Sequence, residues 1–248
     1  MKTVIFQFEY GYGDRERQVI CRKPYDIQFV IQTCTESVKE YAEKHGYDYR
    51  FITEPHETSY TPEFWYDRDM TCEWIYWLND LANEYDHIIV IDTDVFVVDD
   101  SEPFPIDNTG YLCVKNSLKD KEHILNGVNL KERTQYFVNS GVVKFDKITA
   151  KKLYNWFIHN RDDNYVYEEN ENRMHTGDQV HILKYLLDHP EDFNPTLPRK
   201  FNVYPGPSNI FEEITNLDEP AYFWHLVTNK KADLLTFLFT NTEKYDRI

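Results

Sequence analysis

With 248 residues, of which 41% are hydrophobic and 16% aromatic, the chain has the length and apolar content for one large α/β domain with a sizeable core. Its formal net charge of -16 argues against nucleic acid and anionic membranes as partners, because a phosphate-binding surface needs lysine and arginine. An anionic substrate is compatible with that charge only if a metal and one or two placed cations neutralise it locally.

Residues 3–8 read as a first strand. Residues 9–23 are polar, carry Gly11 and Gly13, and read as a loop over the sheet edge. A helix follows Pro24: Ile27, Val30, Ile31, Cys34, Val38, Tyr41 and Ala42 keep the helical period, and Gly46 fits the stop. Residues 48–53 read as a second strand and 54–69 as a proline- and aromatic-rich connection. Residues 71–85 form a second amphipathic helix through Trp74, Ile75, Leu78, Leu81 and Ala82. The run His87-Ile-Ile-Val-Ile91 then reads as a strand buried on both faces. Strand, helix, strand, helix, strand is the signature of a parallel sheet with right-handed crossovers.

The second half is mixed. Residues 111–115 and 141–145 read as short strands, and 148–160 as a helix with Leu153, Trp156 and Phe157 facing in. The polar run 161–173 has no periodicity and reads as a solvated loop. Residues 177–189 read as a helix, 221–224 as a strand, and the tail 222–239 is apolar enough to pack back on the body. No repeat or low-complexity linker interrupts the chain, so one domain over 1–248 is expected.

The four cysteines, at 21, 34, 72 and 113, show no CxxC spacing, which favours free thiols in a reducing compartment over zinc or redox motifs. No signal peptide is visible in Met1-Lys2-Thr3-Val4-Ile5-Phe6, and no apolar run approaches the ~18 residues of a membrane span. The sole glycosylation-type spacing, Asn194-Pro-Thr196, is disqualified by its proline. A cytoplasmic protein is expected.

The chemistry concentrates where the apolar strand runs into Asp92-Thr93-Asp94. In an extended segment residues i and i+2 point the same way, so the two carboxylates are expected to converge just beyond the carboxyl end of a central strand. Open α/β sheets bind ligands there. Two carboxylates at one spot repel unless a cation lies between them, which suggests a divalent metal.

Three later segments add to the set. Asn139-Ser140-Gly141 precedes a β-branched run, as an ordinary turn does, or as a polar cluster that lets a ligand approach the backbone. His175-Thr176-Gly177-Asp178-Gln179 opens a helix, as a cap or as polar side chains aimed at a reacting sugar. His225-Leu-Val-Thr228-Asn229-Lys230 follows a strand and offers an imidazole for a metal and a lysine for a phosphate, or simply a core histidine and a surface lysine.

In this order the segments resemble a GT-A type glycosyltransferase, nearest to glycosyltransferase families 8 and 34. There an apolar strand ends in Asp-x-Asp, an Asn-x-Gly segment follows, an Asp-Gln pair opens a helix, and a late His-x-x-Gly-x-Lys completes the site. The matching residues are Asp92 and Asp94, Asn139 and Gly141, Asp178 and Gln179, and His225 with Lys230. Tyr41-Ala42-Glu43-Lys44-His45-Gly46-Tyr47-Asp48 is also similar to a helix end of the family 34 galactosyltransferases. Thr228 stands where those families have glycine, and no basic residue occupies 71–74 on the helix before the metal strand.

The resemblance implies a GT-A, Rossmann-like fold: a mostly parallel central sheet flanked by helices. Residues 1–100 would be a nucleotide-binding half, and 101–248 an acceptor-binding half with C-terminal closure. It implies a hexosyltransferase that moves a sugar from a nucleotide-diphosphate donor, UDP-sugar favoured, to a saccharide or other acceptor hydroxyl. The metal, Mn²⁺ or Mg²⁺, would be held by Asp92, Asp94 and His225, with Asp92 also serving the ribose. Thr93, Asn139, Ser140, Gly141 and Lys230 would bind the donor. Asp178 and Gln179 would be the catalytic pair, with retention of configuration; an inverting enzyme would need a carboxylate base near the acceptor hydroxyl, a place that Asp178 could fill.

Rival readings differ in what they ask of the sequence. A haloacid-dehalogenase-like phosphatase also places Asp-x-Asp after an apolar strand. It expects Gly or Val and then Thr next, where Val95-Phe96 stand, and a second aspartate four or five positions beyond Asp178, where Ile182 and Leu183 stand. A nucleotidyltransferase usually carries a glycine-rich N-terminal loop, and Gly11-Tyr-Gly13 is too poor in glycine. A catalytically inactive nucleotide-sugar-binding module is the third alternative.

Overall fold

The structure, a computed structural model, describes residues 1–9, 27–54, 56–58, 72–106, 112–117, 123–125, 128–129, 136–161, 166–169, 172–175, 178–192, 197–203 and 221–226. Their elements in chain order are β1 (Thr3–Phe8), α1 (Ile27–His45), β2 (Asp48–Ile52), α2 (Glu73–Glu84), β3 (His87–Ile91), β4 (Val95–Val97), β5 (Leu112–Ser117), β6 (His123–Leu125), β7 (Val128–Asn129), β8 (Tyr136–Asp146), α3 (Lys147–Asn160), β9 (Val166–Glu169), β10 (Asn172–His175), α4 (Asp178–Asp188) and β11 (Phe223–His225).

The architecture is α/β, with a mostly parallel central sheet flanked by helices. Its strand order is β2-β1-β3-β8-β5, with β5 antiparallel to β8. Smaller sheets have the orders β10-β9-β6-β7 and β11-β4. All five residues of β3 are buried, as expected of a strand covered on both faces. The chain divides into two compact units, each assembled from three stretches: Met1–Val4, Glu54–Val90 and Ile106–Leu197 in the first, Ile5–Thr53, Ile91–Pro105 and Pro198–Ile248 in the second.

In the first unit, α2 buries Trp74, Ile75, Tyr76, Leu78, Leu81 and Ala82, the face its period marks. Trp74 meets Phe145 of β8 at 5.9 Å between ring centroids, and Tyr76 meets Phe157 of α3 edge-on at 5.4 Å. Asp146 caps α3, its carboxylate accepting from the Ile148 and Thr149 amides. Two expectations change here. Asn139-Ser140-Gly141 lies inside β8, not in a turn before it. Pairing with β5 carries the strand back to Tyr136, and the register shifts between Leu112 and Val114, whose partners are Lys144 and Asn139. The polar run 161–173, expected as a loop, supplies β9 and part of β10, paired in register from Asn172↔Glu169 to His175↔Val166. Backbone ladders are indifferent to side-chain polarity, so a charged composition does not forbid them.

In the second unit, α1 buries Val30, Ile31, Cys34, Val38, Tyr41 and Ala42. It ends where Gly46 takes φ +69°. The Gly46 amide donates to Glu43 O at 3.2 Å and the Tyr47 amide to Ala42 O at 2.9 Å, so the left-handed glycine satisfies the last carbonyls. β4 and β11 pair antiparallel, Phe223 opposite Val97, Trp224 opposite Phe96 and His225 opposite Val95. They sit on an apolar cluster of Val30, Cys34, Phe96, Val203, Ala221, Trp224 and Leu226. Phe223 continues it, edge-on to Tyr41 at 5.0 Å and to Phe201 at 5.6 Å. Among the described residues no helix is long and apolar enough to cross a membrane.

Candidate active site

The apolar strand β3 stops at Ile91, and the next four residues make a turn in which the Val95 amide donates to Asp92 O at 3.1 Å. Asp92 and Asp94 therefore leave the backbone from a turn, not from the extended segment that their i, i+2 spacing suggests. Their convergence is made by the β4–β11 ribbon. Pairing sets His225 opposite Val95, and the Leu226 amide donates to Asp94 O at 2.8 Å. His225 Nε2 consequently lies 3.4 Å from Asp92 Oδ2 and 3.3 Å from Asp94 Oδ1. The side chain of His225 is 6% exposed, that of Asp94 14% and that of Asp92 40%, so the cluster is buried on the imidazole side and open at Asp92. Thr93 between the carboxylates is buried.

Burial alone pushes the His225 imidazolium down, but the facing carboxylates, Asp94 foremost, outweigh it and raise its pKa to about 9. The facing carboxylates thus favour the protonated imidazole. The donor set fits a divalent ion: each residue offers one ligating atom, and these lie within 4.8 Å of one another. Bonds of about 2.1 Å put neighbouring ligands of an octahedral ion about 3 Å apart, close to the two imidazole–carboxylate separations. Two oxygens and one imidazole suit Mn²⁺ or Mg²⁺ better than a thiolate-preferring metal.

The other predicted residues that can be described belong to the first unit. Asn139 is buried within β8, and its Oδ1 accepts from the Gly141 amide at 3.0 Å; Ser140 is buried beside it. Asp178, first residue of α4, is buried. Its Oδ2 accepts from Trp74 Nε1 at 2.9 Å and its Oδ1 from the Gln179 amide at 2.8 Å. Lys230 lies outside the described residues, as do Thr228 and the loop around Gly11 and Gly13.

The sequence did not single out Trp74 as a partner of Asp178; the signal available was that an indole, not a base, occupies the helix before the metal strand. Nor did it single out Gln7, a fully buried amide in a strand whose neighbours Val4, Ile5 and Phe6 are apolar.

Among solved structures, the chain is similar over 97% of its length, and over all of the other chain, to a glycosyltransferase involved in glycosylation of the major capsid of PBCV-1, with a TM-score of 0.55 at 13% identity. An active-site mutant of LgtC aligns over 90% of this chain and 86% of its own, with a TM-score of 0.50 at 14% identity. The fold is that of the GT-A glycosyltransferases. The bifunctional glycosyltransferase WbbM shares it too, with a TM-score of 0.51 at 12% identity, over 92% of this chain and 46% of that one. By sequence, no protein-family model and no curated protein matches the chain.

Proposed function

We propose that the protein is a metal-dependent glycosyltransferase that moves a hexosyl group from a nucleotide-diphosphate sugar to an acceptor hydroxyl. The observation that carries this reading is the Asp92, Asp94 and His225 cluster, with its 3.3 and 3.4 Å separations, on a glycosyltransferase fold. A divalent cation held there offsets the charge that develops on a departing diphosphate. His225, buried, and Asp94, half-buried, are its inner holders. The more exposed Asp92 is placed to share itself between the ion and a donor ribose, and Thr93, Asn139, Ser140 and Gly141 complete the proposed donor set. Lys230 is assigned the second cation, which a protein of charge -16 needs to hold a diphosphate.

Asp178 and Gln179 are assigned contact with the donor sugar. The two neutral donors on the Asp178 carboxylate support a group that orients over one that abstracts a proton, which agrees with retention of configuration. A UDP-sugar is the favoured donor and a saccharide the favoured acceptor class. Cys34 and Cys72 are buried thiols, which supports a reducing, cytoplasmic setting. The phosphatase reading fares worse, since an aspartate nucleophile has no use for an imidazole drawn against it.

The test is thermal denaturation with UDP-, GDP- and dTDP-sugars, each with and without Mn²⁺. A ligand that binds only the folded state raises the melting temperature. One nucleotide sugar should raise it in the presence of Mn²⁺ and not with EDTA, and product analysis with that donor should show transfer. Binding without turnover would leave a nucleotide-sugar-binding module, and phosphate release from p-nitrophenyl phosphate would restore the phosphatase.

A further inference from the structure

We infer that Gln7 and Tyr49 form a positioning relay that fixes the Asp92–Val95 turn and thereby sets the affinity of the Asp92, Asp94 and His225 site for its divalent cation. Gln7 is 0% exposed, a whole amide group buried in a strand whose preceding residues Val4, Ile5 and Phe6 are apolar. Such a group persists only if both its ends are satisfied. Its Nε2 lies 3.0 Å from Asp92 O, and Tyr49 Oη lies 2.8 Å from its Oε1. A carbonyl can only accept, so the amide nitrogen must face Asp92 and the amide oxygen must face Tyr49. Tyr49 in turn must donate. Burial pushes its phenol pKa up, which keeps that proton in place. The direction of every hydrogen bond is thereby fixed: from Tyr49 on β2, to Gln7 on β1, to the carbonyl just beyond β3. Tyr49 Oη has one more distant alternative, Thr35 O at 3.4 Å.

The carbonyl at the end of this relay is the hinge of the metal corner. Asp92 O accepts from Gln7 Nε2 and from the Val95 amide at 3.1 Å, the bond that closes the turn between the two carboxylates. With Gln7 removed, the peptide after Asp92 keeps one acceptor bond and gains freedom to rotate. Asp92 and Asp94 stand on either side of that peptide, so rotation spreads the two oxygens that now face His225 Nε2. Neither Gln7 nor Tyr49 touches the cation; they act through the backbone.

The inference rests on the metal reading, so its test carries one arm that needs no metal. Apo protein is titrated with Mn²⁺, free ion being read by electron paramagnetic resonance, in wild type, Gln7→Met, Tyr49→Phe and the double variant. Gln7→Met keeps chain length and removes both polar ends; Tyr49→Phe removes one oxygen. Gln7→Met should raise the Kd for Mn²⁺ about tenfold, the lower end of what outer partners of metal ligands are worth. Tyr49→Phe should raise it about threefold, and the double variant should match Gln7→Met, because Tyr49 acts only through Gln7. In the second arm, metal-free amide exchange should speed up about tenfold at Val95 in Gln7→Met, with β8 unchanged. A Kd within twofold of wild type in folded Gln7→Met, or additive losses in the double variant, overturns the relay. If wild type binds no Mn²⁺, the metal reading falls, and unaltered exchange at Val95 then refutes the relay as a clamp on the turn.

Discussion

Asp178 and the Asp92–Asp94 pair are both carboxylates drawn against neighbours, and they are built to opposite ends. Asp178 accepts from two neutral donors, an indole N–H and a backbone amide, one on each oxygen. These two bonds hold the carboxylate and fix its direction. At the other corner two carboxylates face one imidazole that can bring at most one proton, so the three side chains sum to one negative charge. A divalent ion with a neutral imidazole brings that sum to zero. The first arrangement holds a side chain in place before any ligand arrives, and its loss is read first in stability. The second is completed by a ligand and expresses itself in function.

That contrast is broken most directly at Asp94. Asp94→Ala should lower turnover with the donor sugar at least about a hundredfold, because a preorganised charge is lost where the leaving group's charge develops. Its secondary structure without metal should match wild type, while its metal-free melting temperature should drop, because the nearly buried His225 loses the carboxylate that does most to raise its pKa. Mn²⁺ at 100 times its Kd should stabilise the wild type by about 2.7 kcal/mol and leave Asp94→Ala unmoved. Near-normal turnover in this variant, or an undiminished Mn²⁺ response, removes the metal from the mechanism.

The sequence shows one of these corners better than the other, for a physical reason. An apolar run such as Ile88–Ile91 has few readings other than a covered strand, and the residues after it are thereby placed at the strand's carboxyl end. The helix faces through Val38 and Leu78, and the glycine stop at Gly46, are equally local signals. Convergence of Asp92 with Asp94 is expected for a local reason too, alternation along a strand, and that reason is wrong. A turn and the distant pairing of Val95 with His225 bring the groups together. Non-local pairing is what a single sequence does not display. It also hides the partnership of Trp74 with Asp178 and of Gln7 with Asp92 O, and the pairing of residues 166–169 with the distant strand β6.

Trp74→Phe sharpens the comparison from the other side. The ring that packs on Phe145 is largely retained, and only the indole donor to a buried carboxylate is lost. Hydrogen bonds to charged groups contribute about 1.5–3 kcal/mol. Urea unfolding should show a loss of about 2 kcal/mol with an unchanged slope, and the Mn²⁺-induced stabilisation should persist. A loss under about 0.5 kcal/mol would mean that Asp178 does not depend on the indole.

Two buried histidines extend the contrast to pH. His225 is raised by the carboxylates it faces, whereas His87, at the start of β3, is lowered. Burial is the main cause, and the nearby Lys144 ammonium adds to it against the opposing charges of Asp146 and Asp86. The unfolded chain takes up a proton at His87 near pH 6.5, and the folded chain resists to lower pH. More protons are then bound in the unfolded state, so stability falls as pH falls. The contribution is full above about pH 6.5 and is lost as the pH drops through the folded value. Wild type and His87→Gln are to be unfolded in urea at pH 7.5, 6.5 and 5.5, with EDTA throughout. The variant should be less stable at pH 7.5 yet lose less on acidification, so the two curves draw together toward pH 5.5. Parallel curves would show that His87 is not held neutral by the fold, and that His225 is not its opposite.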